Sequence, residues 1–461
     1  MKDTSKKTRR EFLKDTGKLA AASALAGVAL PHVHAAEDNT LRVVLIGCGG
    51  RGTGAAANAM SVKRIPVKLV AMADIFEDRL SSSYNGLKRR FRNQVDVPPE
   101  RRFIGFDAYK KAMNCLRKGD VAIFTTPPAF RWVHFTYAIE KGLNVFMEKP
   151  VTVDGPTTRR MLGLAKKSRE KNMKVGVGLM SRHSRHLQQL ADKLHNGAIG
   201  DIIFMRGYRM SGPVGSAFTL PNTTGMPDLL YQIRRFHSFI WASGGCFNDF
   251  YIHIVDHLCW MKNAWPVSAI ALGGKHYKKN PDGVAYIDQN FDSYSVEYTF
   301  ADGTKMLMDG RCMTRCHNEY HSYAHGSRGS AIVSKNGDCG SPSSLFKGQS
   351  PERSGMTWRS RAPRGQENPY QNEWDDLVDA ILDDKPYNEA ERGAIASMIS
   401  SMGRMSAHTG QLITYDHILN SPHELAPNVD KLTMDSPPPV QKGPDGRYPV
   451  PMPGMKGDKE Y

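Results

Sequence analysis

Residues 41–52 read LRVVLIGCGGRG, an apolar run of strand length that passes without a break into the glycines Gly47, Gly49, Gly50 and Gly52, with Arg51 among them. Gly47, Gly49 and Gly52 give the spacing GxGxxG. At a strand end, the first glycine permits a tight turn, the second lets a pyrophosphate approach the backbone, and the third lets helix and strand pack closely. Small residues follow (GAAANAM, 54–60), suited to a helix lying against a sheet, whose N-terminal amides would receive phosphate charge. A second strand pattern, VKLVAMA at 67–73, ends at Asp74, 22 residues beyond Gly52. A carboxylate there accepts hydrogen bonds from ribose hydroxyls and repels a 2′-phosphate, which favours NAD over NADP, although Arg79 leaves room for NADP. A lone glycine turn often serves structure alone; the strand before it and the carboxylate after it argue for a dinucleotide.

The alternation continues outward. VAIFTT at 121–126, Pro127 and Pro128, a helix from about Trp132 to Lys141 and a strand at Asn144–Met147 predict a parallel, doubly wound α/β sheet. Glu148, Lys149 and Pro150 stand at the C-terminal end of that last strand, where ligands of such sheets bind.

At 461 residues the chain suits two domains with extensions, and its 40% hydrophobic content is that of an ordinary globular protein. The net charge of +16 raises a nucleic-acid reading. Residues 1–35 carry seven Lys/Arg against three acids, and the remaining excess is scattered along helical segments such as KKSREKNMK at 166–174. Without aromatic residues interleaved among the basic ones, a solvated surface is the better reading, and a nucleic-acid partner is not expected. The seven cysteines are widely spaced and form no CxxC pair, which argues against a disulfide framework. Cys312, Cys316, His317 and His321 imitate a metal site, but no metal is expected there.

The first 35 residues read as a twin-arginine signal: TRREFLK at 8–14, then the Ala-rich apolar stretch LAAASALAGVAL at 19–30, with Val33 and Ala35 at a small-residue cleavage site. The expected partner is the twin-arginine export machinery, the expected place is the periplasm or another extracytoplasmic space, and no span remains in the mature chain. Free nicotinamide cofactor is scarce there, so an exported dehydrogenase needs to hold its cofactor tightly.

In order along the chain, LIGCGGRG, MADIFEDR (72–79), FTTPPAFRWVHF (124–135), VFMEKP (145–150), GAIGDI (197–202), SGGCFNDFYIHIVDHLCW (243–260) and AHTGQLIT (407–414) resemble the glucose-fructose oxidoreductase/inositol dehydrogenase (Gfo/Idh/MocA) family. The resemblance implies a Rossmann domain over 41–180 and an α+β domain over 181–425 with a large, mostly antiparallel sheet. It also implies a cleft between the two, a sugar or polyol substrate and a homo-oligomer, dimer or tetramer. The Pro- and Gly-rich tail 426–461 is expected to be extended and to wrap a neighbouring subunit. Carried over residue by residue, Lys149, Asp249 and His253 are the catalytic set, and Asp249 and His253, four apart, are expected to share a helix face. His253 is assigned as general base oriented by Asp249, and Lys149 as the donor to the substrate oxygen, with Lys149 itself an alternative base. Cofactor contacts are expected from the glycine turn with Arg51, from Asp74, Thr126, Pro127 and His134, and from Glu148 and Lys149. His183 and His186 are read as exposed loop histidines, with substrate contact as the alternative. Two other functions stay open: a redox-neutral, NAD-dependent glycosidase that works by transient oxidation, and a non-catalytic NAD-binding sensor or scaffold.

Overall fold

The computed structural model describes residues 39–335, 341–457 and 459–461. The twin-arginine segment lies outside these residues. Among those described, no helix is long and apolar enough to cross a membrane.

Six strands make a parallel sheet: β1 (Leu41–Ile46), β2 (Val67–Asp74), β3 (Arg102–Ile104), β4 (Val121–Phe124), β5 (Asn144–Met147) and β6 (Val175–Val177), in the order β3-β2-β1-β4-β5-β6. Strands β1, β4 and β5 are almost fully buried on both faces, as continuous apolar runs in a doubly wound sheet must be. The order reverses beside β1, which opens a crevice at the carboxyl ends of β1 and β4.

Among the described residues nine strands form the second sheet; with β12 (Gly329–Ser334), β13 (Ser344–Lys347) and β14 (Met356–Arg359) at one edge and β15 (Ile413–Thr414) at the other, the order is β14-β13-β12-β11-β7-β10-β9-β8-β15. Its middle is β7 (Ile202–Ser211), β10 (Lys305–Cys312) and β9 (Ser293–Thr299), flanked by β8 (Ser268–Gly274) and β11 (Ser322–Gly326). The β7–β10 pair is parallel and the other recorded pairs are antiparallel. Alternation in β9 and β10 puts Tyr294, Val296 and Tyr298 with Met306 and Met308 into one core, where the helix Ile252–Lys262 covers the sheet. Cys312 ends β10 with its thiol 3.7 Å from the buried Tyr251 hydroxyl, while His317 is exposed in the loop that follows.

The helix Pro369–Leu382 returns to the first domain, where the Trp374 and Phe146 rings lie 4.6 Å apart. The helix Ala390–Thr409 is buried along nearly its whole length. Residues 426–457 and 459–461 pack against the rest of their own chain. Val429, Val440 and Tyr448 are buried with Phe76, Phe130 and Trp241, and Glu460 is 3% exposed.

Candidate active site

The glycine turn shows why its residues are glycines. Gly47 has φ +94°, and a Cβ there would lie 2.6 Å from the Thr126 amide nitrogen. A Cβ on Gly52 would lie 2.1 Å from the Gly47 carbonyl oxygen, so helix and strand touch backbone to backbone. Gly49 and Gly50, by contrast, face open space. The helix Gly50–Met60 starts there with no side-chain cap and no acidic residue in its first turn, leaving its amides to the cleft.

That cleft has a volume of about 810 Å³ and runs from the glycine turn past Asp74 to Thr126, Pro127 and His134. Asp74 accepts the Cys48 amide at 2.6 Å and the Phe76 amide at 2.9 Å. Burial raises its pKa against the pull of these amides and of Arg79. Each carboxylate oxygen keeps a second lone pair for a ribose hydroxyl. His134 is held neutral, its pKa lowered to about 3 by burial and by Arg131. Its Nδ1 lies 3.3 Å from Thr126 Oγ1. Arg51 pairs with buried Glu148 at 2.9 Å and lies over the Tyr370 ring, which fixes the far side of the turn. A dinucleotide fits this set: open backbone at Gly49 and Gly50, a free helix N-terminus, and a carboxylate at the end of β2.

Lys149, just after β5, donates to the Asp249 carbonyl at 2.7 Å and reaches Asp249 Oδ1 at 3.3 Å. The other oxygen of Asp249 does not go to His253. It accepts from His237 Nε2 at 3.1 Å. His237 Nδ1 accepts the Ser216 amide at 3.2 Å, which leaves the ring proton on Nε2 for Asp249. The expected Asp249–His253 pair fails for a local reason. Residues Phe247–Tyr251 form a π-helical turn ahead of the helix Ile252–Lys262, and with bonds running i to i+5, residues four apart no longer stack.

Burial would raise the pKa of Asp249, but Lys149 and His237 outweigh it and hold the carboxyl well below its ordinary range. His253 is pushed the other way: burial, then the Lys149 charge, holds it well below its usual value and neutral, with Nδ1 lacking a hydrogen-bond partner. The fold thus brings Lys149, Asp249 and His253 together and adds His237, which sequence reasoning missed. Nothing in the stretch RRFHS (234–238) marks it, because its partner is 12 residues away and set by the turn geometry.

His183 and His186 are neither exposed nor in the cleft. His186 is 7% exposed, with Nδ1 2.9 Å from Ser360 Oγ. His183 is 5% exposed, 2.7 Å from Asp376 and 3.2 Å from Glu389. Burial opposes its charge, yet Glu389 and Asp376 prevail and raise its pKa from 6.5 to about 9. A raised pKa means that the protonated histidine is bound more tightly in the folded chain. The stabilisation is therefore complete below pH 6.5 and is lost as the pH rises through about 9. By linkage the loss is on the order of 3 kcal/mol. Urea unfolding of the wild type and His183→Gln at about pH 6 and about pH 10 checks this. The stability gap between them should shrink by most of that amount, and a gap independent of pH would contradict the assignment.

A parallel sheet with a glycine-rich first turn and Lys149 at the end of its fifth strand, beside a larger sheet covered by the helix that carries Asp249 and His253 at its start, defines a two-domain fold with a Rossmann-type first domain. No family model matches the chain. Inositol 2-dehydrogenase of Corynebacterium glutamicum is 27% identical over 100 residues, 22% of this chain and 29% of that protein. The dTDP-3,4-didehydro-2,6-dideoxy-alpha-D-glucose 3-reductase of Actinomadura kijaniata is 28% identical over 201 residues, 43% of this chain and 51% of that protein. The chain thus spans about half or less of the curated relatives it matches. Among solved structures, myo-inositol 2-dehydrogenase from Lactobacillus plantarum superposes with a TM-score of 0.58 at 23% identity, over 81% of this chain and 99% of that one. A levoglucosan dehydrogenase in complex with NADH and levoglucosan gives 0.60 at 15% identity, with the same coverage. The fold is shared with these structures.

Proposed function

We propose that the chain is an NAD-dependent oxidoreductase of the Gfo/Idh/MocA type that moves a hydride to or from a hydroxyl-bearing carbon of a sugar, polyol or glycoside. The observation that carries this reading is the convergence of Lys149, Asp249 and neutral His253 beside an open glycine-turn cleft. NAD, when bound, supplies the hydride acceptor; Gly49, Gly50 and Asp74 would hold its phosphates and ribose. The rest falls to the chain. Lys149, fixed by Asp249, donates to the substrate oxygen and stabilises negative charge there. His253, held neutral by burial, takes the hydroxyl proton on the ring nitrogen that carries none. Asp249, kept ionised between Lys149 and His237, holds the lysine in place. NAD is favoured over NADP because Asp74 ends β2. The names of the relatives, inositol and sugar dehydrogenases, support the substrate class. Export by the twin-arginine route and assembly into a homo-oligomer belong to the same reading and rest on the sequence.

Mass spectrometry of the supernatant from denatured protein, together with NADH fluorescence titration, tests it. Close to one equivalent of NAD(H) per chain, or saturable NADH binding, is expected. Absence of both would sink the reading.

A further inference from the structure

The adenosine end of the cleft is not open as in a simple crevice. A segment of the second domain helps to line it: Gly215, Ser216 and the end of the helix Asp228–Arg234 border the same cavity as Asp74, Phe76 and Asp78. This segment is fastened to the Rossmann domain by polar contacts at the rim. Both terminal nitrogens of Arg234 reach the Asp78 carboxylate, one of them at 3.1 Å. Arg79 donates to the Arg234 carbonyl at 2.9 Å. The guanidinium groups of Arg79 and Arg234 both lie over the Phe76 ring, at 5.1 and 5.0 Å.

The same short helix is gripped from behind by the C-terminal tail. Gln232, fully buried, donates to the Val440 carbonyl at 2.8 Å and accepts from Trp241 Nε1 at 2.7 Å. The Tyr448 hydroxyl donates to the Asp228 carboxylate, and the Tyr448 ring meets Phe239 edge-on at 5.1 Å. Gln289, which orders Ile240 through its amide at 3.0 Å, donates to the Pro449 carbonyl at 2.8 Å. Rossmann edge, crossing helix and tail thereby share one apolar cluster, with Phe76 and Phe130 from the first, Leu229 and Ile233 from the second, and Val440 and Tyr448 from the third.

We infer that the helix Asp228–Arg234 is a clasp over the cofactor cleft, closed at its rim by Asp78–Arg234 and braced by the tail, and that it retains a dinucleotide between turnovers. The inference rests on the dinucleotide reading above. A ligand whose adenosine end lies under the clasp leaves only when the rim contacts part, so the release rate reports the fastening. A cofactor held in this way suits a chain with little free NAD around it.

The test uses the full mature chain loaded with NADH, chased with excess NAD, and followed by the loss of NADH fluorescence. Asp78→Arg turns the rim attraction into repulsion, and release should quicken on the order of tenfold. Asp78→Arg combined with Arg234→Asp restores an opposite-charge pair and should bring release back towards the wild-type rate. That recovery separates a clasp from a direct contact of Asp78 with the cofactor. Tyr448→Phe, remote from the cleft, should quicken release by a few-fold. Equal release rates in the wild type, Asp78→Arg and the charge swap would overturn the clasp while leaving NADH binding, and the functional reading, intact. Failure of the wild type to bind NADH at all would instead remove the dinucleotide reading and the clasp with it.

Discussion

If the proposed reaction holds, Lys149→Met should lower kcat for sugar or polyol oxidation by about 10³-fold, with a much smaller change in KM. Among the described residues Lys149 is the cation placed within reach of both the Asp249 carboxylate and its carbonyl, and it is only 15% exposed. The negative charge that develops on a substrate oxygen during proton loss would be met by an ammonium that is itself largely buried, where a fixed charge is worth far more than it is at a surface. Methionine keeps the length and the packing but removes the charge. The substitution also takes from Asp249 the partner that contributes most to keeping it ionised, so the remaining His237 contact must hold a buried carboxylate alone. The measurement is NADH formation with the best substrate from a panel of inositols and aldoses, alongside thermal unfolding to separate lost chemistry from lost structure. A fall of less than tenfold in a folded variant would remove Lys149 from the reaction. His253→Ala should then separate the two roles: if His253 is the base, its loss lowers kcat most at neutral pH and the defect narrows as hydroxide rises.

The parallel sheet was legible because its strands are buried on both faces and read as apolar runs punctuated by glycine and proline. Val121–Phe124, Asn144–Met147 and the turn at Gly47–Gly52 stand where the pattern puts them. Asp74 was legible for the same reason, as a carboxylate at a strand end. What sequence patterns could not carry was partner choice. The spacing of Asp249 and His253 assumes four-residue stacking, and one π turn defeats it. His183 looked like a loop histidine because it follows a strand, yet Asp376 and Glu389, about 200 residues on, close around it. The tail's anchors were not legible in its composition. Proline and glycine mark extended backbone, and it is extended, but Val440, Tyr448 and Glu460 are anchors whose pockets are built by residues far earlier in the chain.

Glu460 is where that tail matters most. Its two oxygens receive Arg404 Nε at 2.9 Å, Arg404 Nη2 at 2.7 Å and His408 Nδ1 at 2.7 Å, and all three residues are buried. Arg404 also donates to the Gly244 carbonyl at 2.9 Å and to the Val153 carbonyl at 3.0 Å. Val153 follows the turn that carries Lys149, and Gly244 precedes the π turn that carries Asp249, so one guanidinium ties together the backbones that present the two residues proposed to work together. Replacing a buried pair wholesale often costs little, but removing one member strands a charge in low dielectric, which typically costs about 3–5 kcal/mol. Glu460→Ala should therefore destabilise the protein by about that much in urea unfolding. The acid side gives an independent check. Burial opposes ionisation of Glu460, yet Arg404 and His408 lower its pKa from 4.5 to about 2. A lowered carboxyl pKa gives stability that is present above 4.5 and is lost as the pH falls through about 2. That limb should flatten in Glu460→Ala relative to the wild type. If the variant is as stable as the wild type at neutral pH, the tail is a passive cover. If it is destabilised as expected and its surviving folded fraction also shows a lower kcat, Arg404 is a positioning residue, and Glu460 helps to set the distance between Lys149 and Asp249.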